Sequence, residues 1–249
     1  MSDSDDTQET EDRLAAFDIG SNSVRLVVAQ ALTTGSYRVL DEERENTRLA
    51  ADLARTGRLG DEAAEATLEA LKNFLTIADG HGVDGQNGNP RRAIATSAVR
   101  DAENGPEFCR RVLLELGLPV ETISAREEAR LAFVSVARAF DVTGKQVAVA
   151  DIGGGSTEII LASNGMIDQV FATRLGAVRV TEKCQLADQK TERQLKVAAK
   201  YVDKQLKKHA RKPSLVPSML YGTGGTFTAM AAMISAREGE TSQPLWGYR

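Results

Sequence analysis

Asp18-Ile19-Gly20-Ser21-Asn22-Ser23 and Asp151-Ile152-Gly153-Gly154-Gly155-Ser156 share the pattern Asp-Ile-Gly-x-x-Ser at an offset of 133 residues. Apolar runs flank both, Leu14 to Phe17 and Val24 to Ala29 around the first, Val147 to Ala150 and Glu158 to Leu161 around the second. Short apolar runs on either side of a small polar turn read as strand, tight turn, strand. A unit of this kind repeated at long period predicts two related α/β domains rather than a solenoid.

The chain between and beyond the two turns fits that plan. Tyr37 to Leu40 reads as a third strand, and Asp61 to Ala78 as a helix with Ala64, Leu68, Leu71 and Leu75 on one face. Gly80 to Pro90 reads as a loop, Ala93 to Thr96 as a strand, and Pro106 to Leu116 as a helix closed by Gly117. A strand over Val120 to Ile123 and a helix over Glu127 to Phe140 complete the first half. Thr191 to Lys208 has the spacing of a helix with an apolar stripe (Leu195, Ala199, Val202, Leu206). Its other stripe is basic (Arg193, Lys196, Lys200, Lys204, Lys207), either a solvated face or a rail for a long polyanion. Met219 to Tyr221 is a last strand, leading into Gly222-Thr223-Gly224-Gly225-Thr226 and a helix to Ala236. The expected division is an acidic tail over 1–12, a first domain over 13–131 and a second over 132–249.

Composition narrows the function classes. The chain has 249 residues, of which 42% are hydrophobic, enough for packed cores. No apolar run reaches the ~18 residues of a membrane span, and the N-terminus is acidic rather than leader-like. Two separated cysteines and two histidines argue against a disulfide framework and a zinc site, and fit a cytoplasmic protein. The net charge of −4 becomes +2 once the six acids before Arg13 are set aside. That mildly basic body suits an anionic small molecule, and is too weakly charged to mark a sequence-specific nucleic-acid binder.

Three glycine-rich turns follow strands, at Asp18 to Ser23, Asp151 to Thr157 and Gly222 to Thr226. Glycines there let backbone N–H groups approach a phosphate, with serine and threonine hydroxyls as further donors, and none of the three is a Walker A loop. Asp18, Asp151 and Glu158 stand at or beside the turns and would repel a phosphate unless Mg²⁺ bridged the two. Glu127 and Glu128 open a helix, where carboxylates favour the dipole. Adjacent helical residues point about 100° apart, so one glutamate can pair with an arginine or solvent while the other faces a cleft.

Taken together, Phe17 to Ser23, Ala95-Thr96-Ser97-Ala98-Val99-Arg100-Asp101-Ala102, Glu127-Glu128-Ala129-Arg130, Asp151 to Glu158, Arg174-Leu175-Gly176-Ala177-Val178-Arg179 and Gly222 to Thr226 resemble the exopolyphosphatase/guanosine pentaphosphate phosphatase family. The resemblance implies an α/β fold of two ribonuclease-H-like domains flanking a cleft, as in the actin/Hsp70/hexokinase superfamily. It implies Mg²⁺-dependent release of terminal phosphate from inorganic polyphosphate or guanosine pentaphosphate, and a homodimer. Glu128 falls on the family's catalytic base, Asp151 and Glu158 on its metal-linked acids, and Arg100 on a phosphate clamp. Gly20, Ser21, Asn22 and Ser23, then Gly153, Gly154, Gly155, Ser156 and Thr157, fall on its phosphate-binding turns, to which the third turn adds Gly224 and Gly225. Two features depart from the family pattern. Ala125 stands where the family usually has glycine, which matters if that position needs a positive φ. Family members also continue past the third turn, so the resemblance implies an incomplete second domain. A non-hydrolysing polyphosphate or guanosine tetra/pentaphosphate sensor, and an ATP-dependent small-molecule kinase, are the alternatives.

Overall fold

The computed structural model describes residues 12–33, 36–86, 90–186, 191–211 and 216–239. The acidic stretch before Asp12 therefore lies outside the described residues, as does the tip of the loop expected over Gly80 to Pro90.

The first half is a meander followed by two crossovers. Strands β1 (Arg13–Ile19), β2 (Val24–Ala31) and β3 (Tyr37–Glu45) pair antiparallel. Helices α1 (Leu53–Thr56) and α2 (Asp61–Gly80) then lead to β4 (Arg91–Ala95), parallel to β1. Helices α3 (Ser97–Asp101) and α4 (Gly105–Leu116) lead in turn to β5 (Val120–Thr122), parallel to β4. The sheet order is β3-β2-β1-β4-β5. Ala64, Leu68, Leu71 and Leu75 of α2 are buried, as their spacing requires, in a core with Phe17, Ile19 and Leu26. Gly117 closes α4 with φ +66, its N–H donating to Leu113 O.

The second half repeats the plan. Helix α5 (Ala125–Ala139) precedes β6 (Gln146–Ile152), β7 (Thr157–Ser163) and β8 (Met166–Thr173), again an antiparallel meander. After α6 (Ala177–Lys183) and α7 (Glu192–His209), β9 (Met219–Thr223) returns parallel to β6, and α8 (Gly224–Glu238) follows. The order is β8-β7-β6-β9, so β9 takes the place of β4. The repeat extends to the turns. Gly20 N–H donates to Ser23 O at 3.1 Å, and Gly153 N–H donates to Ser156 O at 3.1 Å.

Several sequence expectations shift. Asp18 and Asp151 are the penultimate residues of their strands, two places before the first glycine of each turn rather than in it. The boundary drawn between 131 and 132 falls inside α5, whose buried Ala129, Phe133 and Val136 all join the second core with Val149 and Ile160. Packing thus places the division before Ala125. α5 starts at Ala125, two residues earlier than expected, because Ser124 Oγ accepts the Glu127 N–H and caps the helix. Ala125 is not among the non-glycine residues with positive φ, so alanine fits there without strain. Strand β8 and helix α6 lie in sequence that gave no clear period. On α7 the expected apolar stripe is not buried: Leu195 is 48% exposed, Ala199 is exposed and Val202 and Leu206 are half-buried, while the buried residue of the helix is Ala198, outside the stripe.

Helix α6 locks the second turn. Ala177 and Val178 donate their N–H groups to the carbonyls of Gly153 and Gly154, each at 2.9 Å, so the helix N-terminus finds acceptors in the turn itself. A Cβ on Gly176 would collide with the backbone of Gly154 and Gly155. Gly176→Ala should destabilise the protein by about 1–3 kcal/mol through this overlap. Each kcal/mol should lower Tm by roughly 2–4 °C in thermal unfolding followed by circular dichroism, and an unchanged Tm would mean the contact is absent.

Candidate active site

A cavity of about 730 Å³ opens between the two domains, where both repeated turns and the α8 N-terminus converge. Asp18, Asp151, Glu128 and Glu158 line it together with Gly20, Ser21, Asn22, Ser23, Gly153, Gly154, Ser156, Gly224 and Gly225. The turns approach so closely that a Cβ on Gly155 would come within 2.5 Å of both Ser21 Oγ and Ser97 Oγ. Gly224 has φ +83, and a Cβ there would run into the Asp151 carboxylate. The backbone N–H groups of Ser21, Asn22 and Gly154, all at the cavity, have no hydrogen-bond partner among the described residues, which leaves them as anion donors.

The two glutamates at the start of α5 separate in role. Glu127 is exposed and forms a bidentate pair with Arg130 at 2.7 and 2.8 Å. Glu128 faces the cavity, one carboxylate oxygen accepting from Arg100 Nη1 at 3.0 Å, and Arg100 also donates to Ile123 O at 2.9 Å. Burial raises the Glu128 carboxyl above its ordinary range, and the Arg100 hydrogen bond opposes the rise.

Glu158 carries the largest perturbation. It is only 1% exposed; Oε2 accepts from Ser156 Oγ at 3.3 Å and Oε1 has no partner. Burial, with the Glu128 charge adding to it, pushes this carboxyl to about 8. Burial also raises Asp18 and Asp151, while the Arg25 charge pulls both down. Hard oxygen donors and an orphaned buried carboxylate oxygen suit a cation. No three His, Cys, Asp or Glu side chains among the described residues group tightly enough to cage an ion.

Not every predicted donor faces the cavity. Thr157 Oγ1 donates to Leu175 O at 2.9 Å, and the Gly155 carbonyl accepts from Arg179 Nε at 3.0 Å; neither lines it. Arg100 reaches Glu128 from behind rather than lining the front. Sequence reasoning missed Arg25 and Arg44, which do line it. They sit opposite each other on β2 and β3, and neither side chain has a hydrogen bond or ion pair among the described residues, although the Arg25 charge reaches Asp18 and Asp151. Like charges directly opposite are unfavourable without an anion between them. The repeat could have flagged the first, since Arg25 occupies in β2 the register position that Glu158 occupies in β7.

Asp101 ties the domains together. It accepts from Arg179 Nη2 at 2.8 Å and Arg174 Nη2 at 3.1 Å, which accounts for the two arginines of the Arg-Leu-Gly-Ala-Val-Arg segment.

Comparison with known proteins agrees with this architecture. The chain is 32% identical over 230 residues to exopolyphosphatase 2 of Mycobacterium tuberculosis, covering 89% of this chain and 70% of that one. An exopolyphosphatase structure from Cytophaga hutchinsonii superposes with TM-score 0.84 at 27% identity, covering 93% of this chain and 72% of that one. The Aquifex aeolicus member of the Ppx/GppA family superposes with TM-score 0.69 at 34% identity, covering 90% and 70%. The sequence model of the Ppx/GppA phosphatase family matches residues 27–243. With that match across most of the chain, and with the family's turns and glutamate gathered in one cavity, the protein belongs to the Ppx/GppA phosphatase family.

Proposed function

We propose that the protein is an exopolyphosphatase, a phosphoanhydride hydrolase that releases the terminal phosphate of inorganic polyphosphate. The observation that carries the reading is the placement of Glu128, a half-buried carboxylate with raised proton affinity, in a cavity that it shares with glycine-rich turns, Arg25 and Arg44, and the carboxylates of Asp18, Asp151 and Glu158. A phosphoanhydride is already activated, so catalysis needs positioned water and neutralised charge more than covalent help. Arg100 holds one Glu128 oxygen and leaves the other for a water. That water attacks the terminal phosphorus as its proton passes to Glu128. The new P–O bond forms as the bridging P–O bond breaks, and the electron pair leaves on the shortened chain. The N–H groups of Ser21, Asn22 and Gly154 stabilise the transferring phosphoryl oxygens, while Arg25 and Arg44 hold the next units of the chain. Asp18, Asp151 and Glu158 would hold Mg²⁺, which when bound screens the phosphate oxygens.

Guanosine pentaphosphate is the second substrate candidate. Leu131, Ala229, Met230 and Met233 give the cavity an apolar wall on which a purine could rest. Relative turnover of the two substrates in a malachite-green assay, with and without Mg²⁺, decides between them. The reading also carries a homodimer and a cytoplasmic setting, the latter supported by the free thiols of Cys109 and Cys184. No helix among the described residues is long and apolar enough to cross a membrane.

Glu128→Gln keeps shape and removes the base. Phosphate release should fall by about 10²–10⁴-fold while the circular dichroism spectrum stays unchanged; wild-type turnover in this variant would remove Glu128 from the mechanism. Glu158 gives a test in stability. Its folded carboxyl titrates near 8 against an ordinary 4.5, so the folded state binds the extra proton between these values. The Glu158 contribution to the stability of the metal-free protein should therefore be fully present below about 4.5, be lost as pH rises to about 8 and level off above it. Glu158→Gln in EDTA should flatten that slope and melt higher than wild type at pH 8; parallel pH profiles would contradict the burial of this charge.

A further inference from the structure

A second cavity, of about 440 Å³, lies behind the first. Ser97, Ser156 and Glu158 line both, so the partition between them is a few side chains thick. The Arg100–Glu128 pair spans it, Glu128 lining the front cavity and Arg100 the rear one. The rear walls come from both domains and are mixed, with Ala125, Ala172 and Leu175 beside the polar side chains of Thr173 of β8 and Tyr201, Gln205 and His209 of α7. Arg174 stands at this cavity with its side chain 72% exposed, at the solvent side. The acid beside it, Asp101, is already engaged by Arg174 and Arg179.

We propose that this rear chamber is the exit for inorganic phosphate, separate from the mouth through which the polyphosphate chain enters. The proposal rests on the hydrolytic reading above. An enzyme that attacks a chain end holds the terminal unit at Glu128, with the remaining chain filling the front past Arg25 and Arg44. Freed orthophosphate is then trapped between the shortened chain and the partition unless it leaves backwards. The groups it meets there suit it: the Ser97 and Ser156 hydroxyls at the partition, then Arg100, then Arg174 toward solvent, with the donors of Tyr201, Gln205 and His209 along the helix wall. No bond is made or broken in this step, and the chain need not dissociate between cycles.

The test separates cleavage from release. Cleaved phosphate is measured by acid quench and free phosphate by a fluorescent phosphate-binding protein, during hydrolysis of long-chain polyphosphate by the full chain. Gln205→Trp narrows the chamber and Gln205→Glu adds a repelling charge, and Gln205 belongs to neither the base nor the turns. In wild type, free phosphate should keep pace with cleavage. Both variants should cleave a first phosphate per site at the wild-type rate, then show free phosphate lagging and steady turnover slowed at least ~5-fold. Gln205→Glu stands alone as the test if the bulkier change unfolds the helix. Free phosphate tracking cleavage at wild-type rates in a folded variant would overturn the exit. Absence of cleavage by the wild-type protein would overturn the hydrolytic reading and the exit with it.

Discussion

The site depends on how closely peptide backbone approaches peptide backbone where the two domains meet. Gly154 and Gly155 lie against Ser21, Asn22 and Ser97, and Gly176 lies over the same two glycines from the other side. No side chain fits in either layer. The N–H groups of Ala177 and Val178 fix the second turn by its carbonyls, which turns unpaired amides toward the cavity. Glycine here supplies proximity more than conformational freedom, since of the glycines around the cleft Gly224 is the one with positive φ. The carboxylates, the arginines and the helix starts all take their positions from this contact.

Charge in the cavity is arranged for something other than the empty protein. Four carboxylates share one space, and burial raises the proton affinity of each. Arg25 and Arg44 oppose one another across the strands, and of the two it is Arg25 whose charge offsets the Asp18 and Asp151 carboxyls. Crowded like charges of either sign cost stability, and such perturbed groups gather where a charged ligand is received. Elsewhere carboxylates are paired: Glu127 with Arg130, and Asp101 with Arg174, ahead of α6, and Arg179 within it.

Much of this was legible in the sequence because it was written twice. Asp18-Ile19-Gly20 and Asp151-Ile152-Gly153 gave the two strands, the two turns and the acids beside them, and the spacing of α2 gave its buried face. The helix boundary at Ala125 was harder, because the cap is a serine hydroxyl rather than a change in hydrophobic period. β8 was hidden since its residues are largely exposed or half-buried and carry no clean alternation. The assignment of α5 to the second core is a tertiary fact, as its apolar face would suit either sheet. The roles of Thr157 and Gly155 also needed coordinates, since a hydroxyl or carbonyl beside a glycine turn has several partners within reach. Arg25 and Arg44 escaped notice because their pairing is across strands and invisible along the chain.

One correspondence between the halves has a consequence of its own. The register position opposite the strand aspartate is Arg25 in the first domain and Glu158 in the second. The same hairpin therefore sets a guanidinium against its strand aspartate in one lobe and a second carboxylate against it in the other. Negative charge is offset locally in the first lobe and doubled in the second, so the two halves, alike in backbone, differ in their need for a counter-ion.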